Sequence, residues 1–153
     1  MKKPFLLLLS YCLLILSACK DKEKQVNSRS ENNIDAARNF IRAALDGKFD
    51  EARRYMLQDS INTNYMDVVE RSHQTIAADI KNGYRGSSIN IIQVMEPVKD
   101  SVTIVIYSNS FKNDPDTLKV IKAGGQWLVD LKYLYEHDAD SIISKPIIND
   151  SLR

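Results

Sequence analysis

Cysteine is nearly missing from this chain: Cys12 and Cys19 are the only two among 153 residues. No Cys-x-x-Cys, His-Glu-x-x-His or Gly-x-Ser-x-Gly occurs, so zinc and hydrolase chemistry have no motif to start from. Glycine is sparse as well, with five residues and no glycine-rich loop to cradle a phosphate. An excess of one charge sign is also lacking, because 21 Lys and Arg meet 20 Asp and Glu. Nucleic-acid binding needs a basic stripe, which this balance does not supply. No internal repeat is visible, and the length suits one domain with one core.

What is present starts at the amino terminus. Met1, Lys2 and Lys3 form a short basic start, and Pro4 to Ala18 is almost uninterrupted apolar sequence. Those are the n-region and h-region of a secretory signal. A membrane-spanning helix needs about 20 apolar residues, and this run stops at Leu16-Ser17-Ala18-Cys19 before a charged segment. The tetrapeptide resembles the bacterial lipobox, which marks lipoproteins. The resemblance implies that Leu16, Ser17 and Ala18 are read by a signal peptidase and that residues 1–18 are removed. Cys19 then carries a diacylglyceryl thioether and, on its new amino group, a further acyl chain such as palmitate. No cofactor is expected beyond that covalent lipid. Two or more acyl chains anchor a domain without a spanning helix. The competing reading of the apolar run is an uncleaved anchor or a core helix.

With Cys12 discarded and Cys19 lipidated, neither an internal disulfide nor thiolate or cysteine-metal chemistry is expected. The charge balance becomes 19 basic against 20 acidic residues once Lys2 and Lys3 leave with the leader. The expected address is the cell envelope, lipid-anchored to a bacterial membrane, with the outer membrane as the expected bilayer. Residues 19–32 hold the lipidated cysteine and a charged linker with one apolar side chain, Val26. Lys20-Asp21-Lys22-Glu23 resembles the charged tetrad behind the cysteine of surface-exported lipoproteins in one Gram-negative group. Surface-facing and periplasm-facing display both stay open.

From Asn33 the apolar spacing becomes helical. Ile34, Ala37, Phe40, Ile41, Ala44 and Leu45 share one face, Asn32 or Asn33 can cap the start, and Gly47 suits a left-handed stop. A second short helix is expected in "FDEARRYML", with Phe49, Ala52 and Met56 turned inward. A third runs from Ser60 to Gly83 on a stripe of Ile61, Tyr65, Val68, Val69, Ser72, Ile76 and Ile80. After Gly86 the period falls to two. Strands are expected over 88–96, ended by Pro97, and over 101–111, 115–122 and 126–133, with Gly124-Gly125 as a tight turn. Three amino-terminal helices followed by a four-stranded antiparallel meander make an α+β domain over residues 33–135. A tail spans 136–153.

Gly47, Phe49 and Ala52, together with Gly125, Trp127 and Val129, resemble the pattern of the nuclear-transport-factor-2-like (cystatin-like) superfamily. Small uncharacterised envelope lipoproteins are the nearest likeness within it. The resemblance implies a cone with a pocket between helices and curved sheet, a tryptophan packed under the helices, and dimerisation through the open sheet face in many members. Catalytic members carry an inward base and an oxyanion-stabilising acid or tyrosine.

His73, Tyr107 and Trp127 are the residues expected nearest such a pocket. His73 follows Ser72 on the third helix, where a surface or core-edge place competes with a base. Tyr107 reaches the pocket only if its strand face is the inner one. The aliphatic Val102, Ile104 and Ile106 make the better core, so Tyr107 is expected on the outer face. Asp130 alternates with Val129 and Leu131 and therefore faces away from Trp127. Arg53 and Arg54 read as a solvated face, with an anion site as the minority alternative. His137, Asp138 and Asp140 could ligate a metal, but two carboxylates and one imidazole in a tail read as a chance grouping, and no metal is expected. The tail's Ile142, Ile143, Ile147, Ile148 and Leu152 either fold back on the sheet or a partner, or stay disordered. The function expected is a non-enzymatic, membrane-anchored domain binding a small ligand or an envelope protein. The alternatives are a pocket enzyme of the isomerase or dehydratase type and a homodimerising interaction module.

Overall fold

The computed structural model of the chain describes residues 30–136. The leader, the lipobox with Cys19, most of the linker, and the tail from His137 with its Asp138 and Asp140 lie outside the described residues. The chain forms α1 (Asn33–Leu45), α2 (Phe49–Arg53), α3 (Ser60–Thr75), α4 (Ala78–Gly86), β1 (Ile89–Val98), β2 (Val102–Asn109), β3 (Asp116–Ala123), β4 (Gln126–Asp130) and α5 (Lys132–Glu136). The strands pair antiparallel in the order β1-β2-β3-β4, so the fold is α+β.

Local chemistry sets the ends of α1. The Asn32 side chain accepts the Asp35 amide at 2.9 Å and caps the first turn. At the other end the amides of Gly47 and Lys48 bond the carbonyls of Ala44 and Ala43. Gly47 sits at φ +73°, where a Cβ would be strained. Gly124 and Gly125 also take positive φ and close the β3–β4 hairpin. Ala36, Ala37, Phe40 and Ile41 of α1 are buried against Val105, Leu118, Val120 and Val129 of the sheet. Full burial of each large aliphatic contributes about 1.5–3 kcal/mol. Beyond β4, residues 55–57 extend the ladder: Val129 donates to the Tyr55 carbonyl at 2.8 Å, and its own carbonyl accepts from Leu57 at 2.9 Å. Among the described residues β1 is therefore the free edge.

Four helices, not three, precede the sheet among the described residues. The expected third helix breaks at Ile76 and Ala77, whose backbones are extended. Thr75 and Ile76 are β-branched and poor helix formers. The ends are satisfied locally: the Thr75 hydroxyl donates to the Ser72 carbonyl at 2.8 Å, and Lys81 to that of Gln74 at 3.1 Å. Gly83 lies inside α4 and stops nothing; a Cβ there would fall 2.3 Å from the Phe111 ring. Its bareness lets the loop after β2 pack on α4.

The stripe on α3 is also rotated from expectation. Asn62 and Met66 are buried, whereas Ile61 and Val68 are 49% and 41% exposed. Pro97 does not end β1, because an edge strand tolerates a missing donor and the register shifts between Met95 and Val98. β4 stops at Asp130, since the Leu131 amide is taken by Asn62 and Asp130 accepts the Lys132 amide at the start of α5.

The largest correction concerns the sheet faces. Thr103, Val105 and Tyr107 point to the helices; Ile104 and Ile106 lie on the outer face. The Asn33 side chain, donating to Thr103 at 2.7 Å, fixes the same orientation. On β2 the helix-side core thus takes Val105 and Tyr107, and the two isoleucines lie outside.

Candidate functional site

A cavity of about 490 Å³ opens between α1, α3 and the sheet. The far half of the α1 stripe (Phe40, Ile41, Ala44, Leu45) makes one wall, and Val68, Val69, Ser72 and His73 of α3 make the facing one. Phe49 and Ile76 close it at the sides, while Tyr84 and Tyr107 stand at its sheet end. Two fasteners hold the walls apart. Arg53 of α2 bonds Asp67 at 2.5 Å and Glu70 at 2.9 Å on α3. Arg42 of α1 donates to the carbonyls of Ser87, Tyr84 and Arg85, capping the end of α4 and setting Tyr84 in place. Arg53 is thus part of the frame, and Arg54 is exposed.

His73 and Tyr107 both line this cavity, and they arrive from opposite walls. Trp127 does not line it; the indole is half-buried on the inner face at the far hairpin, with Lys122 Nζ 5.3 Å from its ring centre. The His73 ring meets Phe49 edge-to-face at 5.1 Å. Gly47 makes room for that ring, since a Cβ would approach His73 Cε1 to 2.8 Å. Desolvation, followed by the charges of Lys81 and Arg85, holds the imidazole pKa below its ordinary 6.5. His73 is therefore a neutral donor and acceptor at pH 7.

Tyr107 donates from its hydroxyl to Asp116 at 3.1 Å, and the other Asp116 oxygen accepts the Thr117 amide at 2.7 Å. Burial, then the Asp116 charge and this hydrogen bond, pushes the phenol well above its usual range. Tyr107 stays protonated at any physiological pH. Past it lies a smaller, polar recess of about 280 Å³ that shares Leu45, Tyr84 and Tyr107 with the first. Asn109, Lys112, Asp114 and Asp116 supply its polar lining. The two spaces together offer an apolar slot with a polar mouth at Tyr107.

Asp116 and Asn62 were not singled out by residue patterns. Asp116 faces Tyr107 across the β2–β3 hairpin, a pairing readable only once the register is known. Asn62 stands four residues before Met66 on the inner face of α3, where spacing favours an apolar residue. Among the described residues, no group of three or more His, Cys, Asp or Glu is placed to hold a metal ion. No helix among them is long and apolar enough to cross a membrane. Comparison of the chain with protein families, curated proteins and solved structures finds no match.

Proposed function

We propose that this protein is a lipid-tethered binding domain of a bacterial cell envelope that holds a small amphipathic molecule. The observation that carries this reading is the cavity of about 490 Å³ with its polar recess behind Tyr107. Ligand sites are concave and mostly apolar, with a few polar groups that orient the guest. Here Ser72, His73, Tyr84 and Tyr107 are those groups. The ligand's apolar body would lie between α1 and α3, and its polar end would face Asn109, Lys112 and Asp116. The tether follows from the lipobox-like Leu16-Ser17-Ala18-Cys19, and the helices laid over one sheet face support a nuclear-transport-factor-2-like cone.

A pocket enzyme of the isomerase or dehydratase type is the second reading, favoured by one observation: neutral His73 in an apolar wall suits a general base. Against it, among the described residues no acid lines the cavity beside His73, and Asp116 of the polar recess is already engaged by Tyr107 and the Thr117 amide.

Titration with the apolar fluorophore N-phenylnaphthylamine tests the binding reading. Saturable one-to-one binding is expected, displaced by decanoate and lost in Ala44→Trp, which fills the slot. Absence of saturable binding, or binding untouched by Ala44→Trp, would sink it. The tether is tested separately by Cys19→Ala, which should abolish lipid labelling and membrane partitioning. A variant that stays in the membrane fraction would make the apolar leader a true anchor.

A further inference from the structure

The recess behind Tyr107 holds more negative charge than positive. Asp114 and Asp116 line it together with Lys112. Among the described residues neither carboxylate forms an ion pair, with Lys112 or with any other cation. Asp116 is half-buried. Its two oxygens accept one hydrogen bond each, from the Tyr107 hydroxyl at 3.1 Å and the Thr117 amide at 2.7 Å. An ionised carboxylate has about four acceptor positions, so roughly two stay open. Both donors are neutral, and the charge itself has no partner. Tyr107 commits its proton to Asp116 and leaves its phenolic oxygen as a further acceptor. The cations beside the slot do not offset this pair. Lys81 and Arg85 act on the His73 ring, but neither lines slot or recess. Lys81 is bonded to the Gln74 carbonyl at 3.1 Å, and Arg42 is paired with Asp46 at 2.9 Å.

We propose that the guest of this pocket is an amphipathic cation, a primary amine on an apolar body, whose ammonium group sits in the recess against Asp116. The proposal rests on the binding reading above and names the chemical class of its guest. A body that fills the slot between α1 and α3 also covers the mouth of the recess and strips water from Asp116. A carboxylate losing water without a partner is costly. A guest ending in an anion would add to that cost, with Lys112 as the one cation lining the recess against three negative groups. An ammonium group removes it. Its three donors match the open positions of Asp116 and the oxygen of Tyr107. Tyr84 and Tyr107 line both spaces, and tyrosine rings attract cations with their faces.

Displacement of N-phenylnaphthylamine by decylammonium and by decanoate, guests of equal chain length and opposite charge, tests the proposal. Decylammonium is expected to displace the dye at about tenfold lower concentration, the scale of one hydrogen bond to a charged group. That advantage should shrink severalfold as salt rises from about 20 mM to about 500 mM. Asp116→Asn should remove most of it. The readout is a ratio within one sample, so a general weakening of the slot cancels. The salt series uses the unaltered chain and decides the case without the variant. Saturable dye binding with decanoate the equal or better competitor would overturn the cation and leave the amphipathic-guest reading standing. An amine preference untouched by salt, or kept by a folded Asp116→Asn, would also overturn it. Absence of saturable dye binding would remove the guest and its charge together.

Discussion

Asn62→Ala should destabilise the fold by about 2–3 kcal/mol. Asn62 is fully buried, and its Oδ1 accepts the Leu131 amide at 2.6 Å. Its Nδ2 donates to Asp59 at 2.8 Å and more weakly to Asp130 at 3.4 Å. Leu131 is 3% exposed, so its amide finds no water when the acceptor is removed. A buried donor left unpaired costs about 1–3 kcal/mol, and the small void adds up to about 1 kcal/mol more. Asp59 rehydrates and Asp130 keeps Lys119 at 3.4 Å, so the lost donors add little. Asn62→Asp makes a sharper probe. It keeps the shape and the acceptor but turns the donor into a carboxylate facing two others. Its deficit should exceed that of alanine at pH 7 and shrink as the pH approaches 4, where the new carboxyl regains a proton to donate. Urea denaturation followed by the fluorescence of Trp127, the single tryptophan, reads both. With slopes of about 1–3 kcal/mol per molar, the midpoint should drop by roughly 0.7–3 M. A loss below about 0.5 kcal/mol for alanine would place the change in the ordinary surface class and refute the reasoning. So would an Asn62→Asp variant no worse than alanine at pH 7.

Three further outcomes are expected. Gly47→Ala meets both a φ of +73° and the His73 ring at 2.8 Å; it should cost about 1–2 kcal/mol and shift the His73 imidazole resonances. Stability should fall as the pH drops below 6.5 on account of His73. The unfolded chain takes up that proton first, because burial, Lys81 and Arg85 disfavour it in the fold. Above that pH both states hold the ring neutral, and an His73→Phe variant should lose this limb of a thermal-melting pH series. In Tyr107→Phe the last phenolate to appear in an alkaline ultraviolet titration should be missing, and stability should fall by about 0.5–1.5 kcal/mol. A wild-type Tyr107 that ionises with the exposed tyrosines would contradict its burial beside Asp116.

Short-range chemistry was legible without coordinates wherever one residue type satisfies a local need. Asn32 caps α1, Gly47 ends it, Gly124-Gly125 turns the hairpin, and the change of period after Gly86 separates helices from sheet. Those features depend on neighbours within a few positions. Helical spacing also set His73 beside Ser72 on α3, but not the direction in which that pair faces. What only the tertiary structure decided is which face of an element turns inward. β2 is apolar on both faces, so alternation cannot rank them; contact with α1 and the Asn33–Thr103 bond put Tyr107 inside and Ile104 outside. The bearing of α3 was settled the same way, by Asn62 reaching the Leu131 amide across 69 positions of chain. A pattern of hydrophobicity records how much surface wants cover, and only the packed neighbours determine which side receives it.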